Sequence, residues 1–208
     1  MPAQDVDIRK AKMIVGRKVR LIRPPDRGWE HQWLVNWRND PANKPFFVEE
    51  EPLSLDTHLA WWDRVRQDPC QRLYLIEALI DTTGKPIEPL LIGTIGLEGI
   101  DRRSRTAEYT RLLIGNTDYR GGGYGFESEF LLLDYAFNFL NMHKIWGEVF
   151  TYNKIVLNLH EKTGFRQEGL LRQHTFKDGE YRDLILIGLL AEEFRAIEGR
   201  LREELGLP

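Results

Sequence analysis

Cysteine is nearly missing from this chain: Cys70 stands alone. One thiol excludes an intramolecular disulfide and a cysteine-based metal cluster. Long apolar runs are also lacking, so no segment reads as a membrane span. The stretch from Met1 to Lys18 is charged and has no apolar centre, so it does not read as a secretory signal. Nor is there an excess of positive charge. Lysine and arginine total 29 against 32 acidic residues, a net charge of −3, which argues against a general nucleic-acid binder. His31, His58, His143, His160 and His174 are scattered without ligand spacing, so no metal is expected. The expectation is a cytoplasmic protein with no membrane or nucleic-acid partner.

What is present suits one core. The 208 residues are 42% apolar and 29% charged, ordinary values for a globular chain. Residues 1–17 are polar and read as a loose arm. Val19–Ile22 reads as a strand stopped by Pro24 and Pro25. Trp33, Leu34 and Trp37 fall at helical spacing within Trp29–Asn39. Lys44–Pro52 reads as a loop, and a second helix starts at a cap, Ser54 or Asp56, and runs to Gln67. Strands follow at Arg72–Ile80, Leu90–Ile100 and Thr106–Gly115, the first two joined by the turn-rich Asp81–Pro86. Phe126, Phe130, Leu133, Phe137 and Leu140 then form one helical stripe. Lys144–Phe150 is a strand, Asn153 caps a helix to about Lys162, and Gly164 ends it. Strands at Phe165–Thr175 and Tyr181–Leu190 and a charged helix, Ala191–Glu204, complete the order. Hairpins with one helical crossover give a mixed sheet with helices on its faces, an α+β (α/β mixed) fold in a single domain over residues 1–208.

One segment stands out. Tyr119-Arg120-Gly121-Gly122-Gly123-Tyr124-Gly125 joins a strand to a helix. Glycines leave backbone N–H groups bare, and a following helix aims its positive end at the same place, so the turn is suited to a phosphate group. No Gly-Lys-Ser/Thr follows, which excludes a Walker loop. The acid of the next strand, Glu148, lies inside that strand, which disfavours a dinucleotide fingerprint.

Arg120, Gly123 and Gly125 match the R/Q-x-x-G-x-G/A motif of the GNAT superfamily of acyl-CoA N-acyltransferases, which this chain resembles over about residues 18–194. Asn153, Glu161, Lys162, Gly164 and Phe165 fit the family's next motif. Glu168-Gly169-x-x-Arg172, Gly179-x-Tyr181-x-Asp183, Trp37-Arg38-Asn39 and the helix around Trp61-Trp62 resemble the subgroup of ribosomal-protein, spermidine and nucleotide-amino-sugar acetyltransferases. The resemblance implies a central mixed, mostly antiparallel sheet with strands splayed at the cofactor. It implies acetyl-CoA as cosubstrate. Its pyrophosphate would lie on the amides of Arg120, Gly121, Gly122, Gly123, Tyr124 and Gly125. Its pantetheine arm would pair with Leu112, Leu113 and Ile114, an amide near Leu113 polarising the thioester. Asn153 would touch the cofactor, cap the helix, or both.

Acetyl transfer needs a deprotonated amine, a donor for the oxyanion and a proton for the departing thiolate. Many family members place a tyrosine just before Glu-Lys-x-Gly-Phe for the last task, and here that position holds His160. Imidazolium can donate, and a hydrogen-bonded structural histidine is the competing reading, with Tyr152 or solvent then serving instead. Glu108 is the first candidate base and Glu148 the second, against ion pairing with Arg105 or Arg111. For the acceptor, Trp37, Arg38, Phe46 and Phe47 are candidate contacts. Glu49-Glu50-Glu51 would attract a cationic amine, whereas Arg38, Arg172 and Lys177 would hold the phosphates of a nucleotide-linked amino sugar. The expected activity is N-acetylation of a small-molecule primary amine in a ternary complex. Alternatives are acetylation of a protein N-terminus and a non-catalytic acyl-CoA-binding module. A homodimer is a further expectation.

Overall fold

The computed structural model describes residues 13–26, 28–48 and 51–208. Eight strands form one sheet: β1 (Met13–Val15), β2 (Val19–Ile22), β3 (Arg72–Ile80), β4 (Pro86–Asp101), β5 (Thr106–Ile114), β6 (Lys144–Phe150), β7 (Arg166–Lys177) and β8 (Glu180–Leu190). Their spatial order is β1-β2-β3-β4-β5-β6-β8-β7. Neighbours run antiparallel except β5 and β6, which are parallel because a helical crossover joins them. The five helices are α1 (Glu30–Asn39), α2 (Leu55–Val65), α3 (Tyr124–Asp134), α4 (Lys154–Lys162) and α5 (Ala191–Leu205).

Side chains alternate along β3 and so build two cores. Tyr74, Ile76 and Ala78 enter the main core, which takes Phe130 of α3, Phe194 and Leu201 of α5, and partly buried Val156 and Leu159 of α4. Leu73 and Leu75 face the other way. Leu75 joins Leu34 and Trp37 of α1, and Leu73 joins Trp62 and Val65 of α2. Thus α1 and α2 cover one face while α3, α4 and α5 cover the other, the layered α+β arrangement expected of the pattern.

Local differences have plain causes. Within the arm read over residues 1–17, Met13–Val15 is a strand that pairs with β2; three residues are too short to show periodicity. Residues 1–12 lie outside the described part. The reading of Lys44–Pro52 as loop missed a short 3₁₀ turn at Lys44–Phe46, with Pro45 in its first turn. Ser54 accepts the Thr57 N–H and is the cap of α2, which stops at Val65 rather than Gln67. The single helix read to Leu140 divides. Tyr135–Phe139 is a π turn, with the Leu140 N–H donating to the Tyr135 carbonyl at 2.9 Å. That wider turn keeps Tyr135, Ala136 and Phe137 all buried, which a uniform stripe did not foresee.

A candidate acetyl-transfer site at the splayed strands

The site begins where two parallel strands part. Thr106, Ala107 and Glu108 of β5 pair with Lys144, Ile145 and Trp146 of β6, and the pairing ends there. Both strands continue, β5 to Ile114 and β6 to Phe150, leaving a wedge with its apex at Glu108 and Trp146. The edge of β5 facing the wedge carries backbone groups with no strand beside them, a place where an extended chain can add. Leu112, Leu113 and Ile114 lie on that stretch. Leu112 and Ile114 pack on the main core, and Leu113 packs on the α1 side.

A bulge bends β5 away. Thr94 pairs with Leu113 and Gly96 with Thr110, so Ile95 opposes both Arg111 and Leu112. Arg111 takes up the extra residue at φ +61°, a left-handed conformation costly for a side chain of this size. Three contacts hold it. Thr94 Oγ1 donates to the Arg111 carbonyl at 2.8 Å. The guanidinium donates to Glu98 Oε1 at 2.6 Å and lies 4.6 Å from the centre of the Trp61 ring.

The glycine turn is built as an anion cradle. Gly121 and Gly123 have φ of +79° and +82°, and Gly121 and Gly122 are exposed. Gly123 is the N-cap of α3 and offers no side-chain acceptor, so the first amides of α3 keep their hydrogens free. The side chains around the cradle are engaged elsewhere. Arg120 Nε donates to the Ile114 carbonyl at 2.9 Å and its Nη2 to Asn43 Oδ1 at 2.7 Å. Tyr124 O–H donates to the Asp81 carbonyl at 2.8 Å. Tyr124 therefore offers the cradle its backbone amide alone, whereas the Arg120 N–H, expected to face the pyrophosphate, is engaged by the Thr117 carbonyl at 3.2 Å; sequence reasoning did not foresee Lys18, whose Nζ donates to the Gly122 carbonyl at 2.9 Å. Beside them a cavity of about 420 Å³ is lined by Arg17, Lys18, Asp81, Asp118 and Arg120. Asn153 caps α4, accepting the Val156 N–H at 3.4 Å.

Above the wedge, the Asn43–Phe47 segment connects its two lips. Asn43 Nδ2 donates to the Trp37 carbonyl, and its Oδ1 accepts from Arg120, whose Nε is tied to Ile114 at the end of β5. On the other lip, Tyr152 O–H donates to the Pro45 carbonyl, and the Phe46 and Tyr152 rings lie 6.4 Å apart. Arg38 stacks over Phe47 at 4.3 Å. Of the candidate acceptor contacts, Phe46 is thus 44% exposed beside the wedge, whereas Trp37 is 6% exposed in the α1 core. Glu49 and Glu50 lie outside the described residues.

The carboxylates segregate by face. Glu108 stands directly opposite Glu98, and Trp146, two residues before Glu148, is its partner on β6. Glu98, Glu108 and Glu148 all project towards α1 and α2. Glu108 is half-buried, and burial raises its pKa, with Glu98 and Glu148 adding to the rise and Arg111 opposing it. Glu98 was not singled out from sequence, although a carboxylate inside an otherwise apolar strand is a readable signal.

On the opposite face His160 is 2% exposed, with Nδ1 2.9 Å from Glu129 Oε1. Glu129 is fully buried and also accepts from Tyr109 O–H at 3.1 Å and from Thr163 O–H. Glu129 too was missed. Its signal was an acid within the apolar run from Phe126 to Leu133.

Residues 20–166 match the family described as the acetyltransferase (GNAT) domain. The chain belongs to this family. Among its GNAT relatives is the spermidine N(1)-acetyltransferase of Vibrio cholerae, 26% identical over 173 residues, which span 83% of this chain and 94% of that protein. The ribosomal protein uS5 alanine N-acetyltransferase of Escherichia coli is 28% identical over 109 residues, 52% of this chain and 56% of the relative. A crystal structure of the Vibrio cholerae spermidine N-acetyltransferase in complex with CoA and spermine superposes with a TM-score of 0.75 at 25% identity, covering 86% of this chain and 98% of that one. The mixed, mostly antiparallel sheet is thus that of a GNAT fold, and the chain is an acetyl-CoA-dependent N-acetyltransferase.

Proposed function

We propose that this GNAT enzyme acetylates a primary amine of a small polycation of the polyamine class. The observation that carries the reading is the trio Glu98, Glu108 and Glu148 on three successive strands at the apex of the wedge. A polyamine presents several ammonium groups at short spacing, and carboxylates at matching depth hold it by charge while one amine reaches the apex. Spermidine N(1)-acetyltransferases among the relatives support the same class. The one-domain organisation and a cytoplasmic setting, where acetyl-CoA is available, belong to this reading.

Acetyl-CoA supplies the acyl group as a thioester. The chain's own residues do the rest. The amides of Gly121–Gly125 and the N-terminus of α3 hold the pyrophosphate, and the free edge of β5 at Leu112–Ile114 aligns the arm. An open amide on that edge steadies negative charge on the carbonyl oxygen. Glu108, with its raised pKa, takes a proton from the incoming ammonium, directly or through one water, because an ammonium has no lone pair for attack. Phe46 at the mouth of the wedge packs against the methylene stem of the acceptor.

The test is release of free CoA thiol from acetyl-CoA in the presence of spermidine, spermine, an amino sugar, a nucleotide-linked amino sugar and an alanine-initiated peptide. Faster release with the polyamines, and a higher KM for them in Glu98→Gln and Glu148→Gln, is the expected outcome. Release with the peptide alone would overturn the acceptor class while leaving the reaction in place.

A further inference from the structure

The end of the sheet far from the cradle holds positive charge with no carboxylate paired to it among the described residues. Arg72, the first residue of β3, is 5% exposed. Its Nη1 donates to the carbonyls of Pro69 at 3.1 Å and Gln71 at 2.6 Å, which fixes the guanidinium without neutralising it. Its Nε is sealed and has no acceptor. Among the described residues Nη2 has no acceptor either, and it is not sealed, so it stays open to an incoming group. A buried cation without an opposite charge is costly, because burial strips its water and returns nothing in exchange.

Arg72 lines a cavity of about 190 Å³ with Arg102 and Arg105 of the β4–β5 turn and with Asn141, which follows the π turn. Ile100, Leu140 and Met142 complete the wall. Arg102 and Arg105 are exposed and have no ion pair among the described residues. The acids nearest in the chain are committed to turns. Asp101 Oδ1 accepts from the N–H groups of Arg103 at 2.8 Å and Ser104 at 3.2 Å. Asp68 accepts from the Cys70 N–H at 2.8 Å and from Gln71 Nε2 at 3.1 Å.

The rim is also fixed in place. Arg105 and Asn141 both have left-handed backbones, each at φ +55°. The Arg105 carbonyl accepts from the N–H groups of His143 at 2.6 Å and Lys144 at 3.2 Å, and the Met142 N–H donates to the Ala136 carbonyl at 3.0 Å. These bonds clamp two loops together where β5 and β6 begin their parallel pair, with Thr106 opposite Lys144.

We propose that this cavity binds a phosphate group, either the free ion or a phosphomonoester. The donor set selects the class. A guanidinium fork matches two oxygens of a phosphate, and a phosphate has enough oxygens to meet all three arginines. A carboxylate has two oxygens and would leave a fork unmet. Arg72 supplies the buried, fixed charge, Arg102 and Arg105 close over it from the turn, and Asn141 adds an amide donor. In a chain of net charge −3 the site is local and not part of a general basic surface. It is also separate from acetyl transfer. The nine residues of β5 lead from this cavity to Ile114 beside the cradle, roughly 30 Å of extended chain.

The test titrates inorganic phosphate into the full chain by calorimetry, with CoA in excess so that the glycine cradle is already filled. Saturable binding is expected, together with a rise in melting temperature, as for any ligand held by the folded state alone. Arg102→Gln combined with Arg105→Gln should weaken binding about tenfold or more. Arg72→Lys keeps the charge but loses the fork, and should weaken it as well; should that variant fail to fold, the exposed pair decides alone. Arg103→Gln removes the same charge from the same turn without touching the cavity wall, and affinity should change by less than about twofold. Absence of saturable binding, or binding undiminished in the paired variant, would overturn the proposal. So would an equal loss in Arg103→Gln, which would mean diffuse surface charge. Phenyl phosphate distinguishes the sources: tighter binding than inorganic phosphate points to a phosphomonoester, and weaker binding to the free ion. Turnover plays no part in these readouts, so the phosphate site and the acceptor reading stand or fall separately.

Discussion

His31 Nδ1 and His58 Nε2 lie 2.9 Å apart, in a contact sealed between α1 and α2. His31 Nε2 is 3.0 Å from the Pro25 carbonyl, which can only accept, so His31 carries a proton on that nitrogen. The Pro25 carbonyl also accepts from Trp62 Nε1 at 3.0 Å, so one carbonyl ties together the two helices on the acceptor face.

That pair predicts a stability that depends on pH. The His58 pKa is lowered to about 4, by burial first, then by His31, Arg38 and Arg111. A histidine depressed on folding binds more protons when unfolded. Its contribution is therefore complete above the unfolded value near 6.5 and is lost as pH falls towards 4. The full loss is about 3 kcal/mol on this basis. Denaturant unfolding of wild type and His58→Leu across that window checks it. The wild type should lose stability on acidification more steeply than the variant, and parallel curves would refute the assignment.

Gly115 is set by a ring. A Cβ at this residue would come within 2.1 Å of Trp37 Cδ2. Trp37 is held in the α1 core and cannot swing clear, so overpacking is unavoidable. Gly115→Ala should cost about 1–3 kcal/mol, read as a fall in melting temperature. Because Gly115 follows the free edge of β5, acetyl-CoA affinity should fall in the same variant.

The cradle makes its own prediction. Gly123 combines a φ of +82° with the N-cap position of α3. Alanine there is strained by about 1–2 kcal/mol and tilts the amides that would receive the pyrophosphate. Gly123→Ala should weaken acetyl-CoA binding roughly tenfold, measurable by calorimetry. Gly199 has open space around it and serves as the control, since Gly199→Ala should leave binding unchanged.

The base has a titration signature. Glu108 must be ionised to accept a proton, so kcat/KM should rise with pH through its raised pKa. Glu108→Gln should abolish that limb and lower kcat by about 10²-fold or more. Arg111 opposes the rise in Glu108, so Arg111→Gln should shift the limb to higher pH. A limb that stays in place in both variants would remove Glu108 from the role.

Much of this was legible locally. The glycines of the cradle declare a positive-φ turn because few other residues adopt it, and the Phe126–Leu133 stripe declares the helix behind it. Glu108 was legible as a charge within a strand whose apolar residues alternate around it. Glu98 and Glu129 were not, because their meaning lies in partners at a distance: Glu98 faces Glu108 across a hairpin, and Glu129 meets residues 20, 31 and 34 positions away. Arg111 gave no warning of its left-handed backbone, since the bulge arises from the mismatch between two strands.

By itself the sequence determined the order of the main strands and α-helices from β2 onward, the parallel crossover between β5 and β6 and the backbone chemistry of the glycine turn. Each of these rests on short-range sterics or on periodicity. The tertiary structure decided which side chains serve the site. It drew Arg120 into a tie between Asn43 and Ile114, placed Trp37 in the core, and gave His160 a buried carboxylate partner. Those outcomes depend on which surfaces are brought together and sealed from water, and burial and hydrogen-bond satisfaction are settled only when the whole sheet and its two helical layers close.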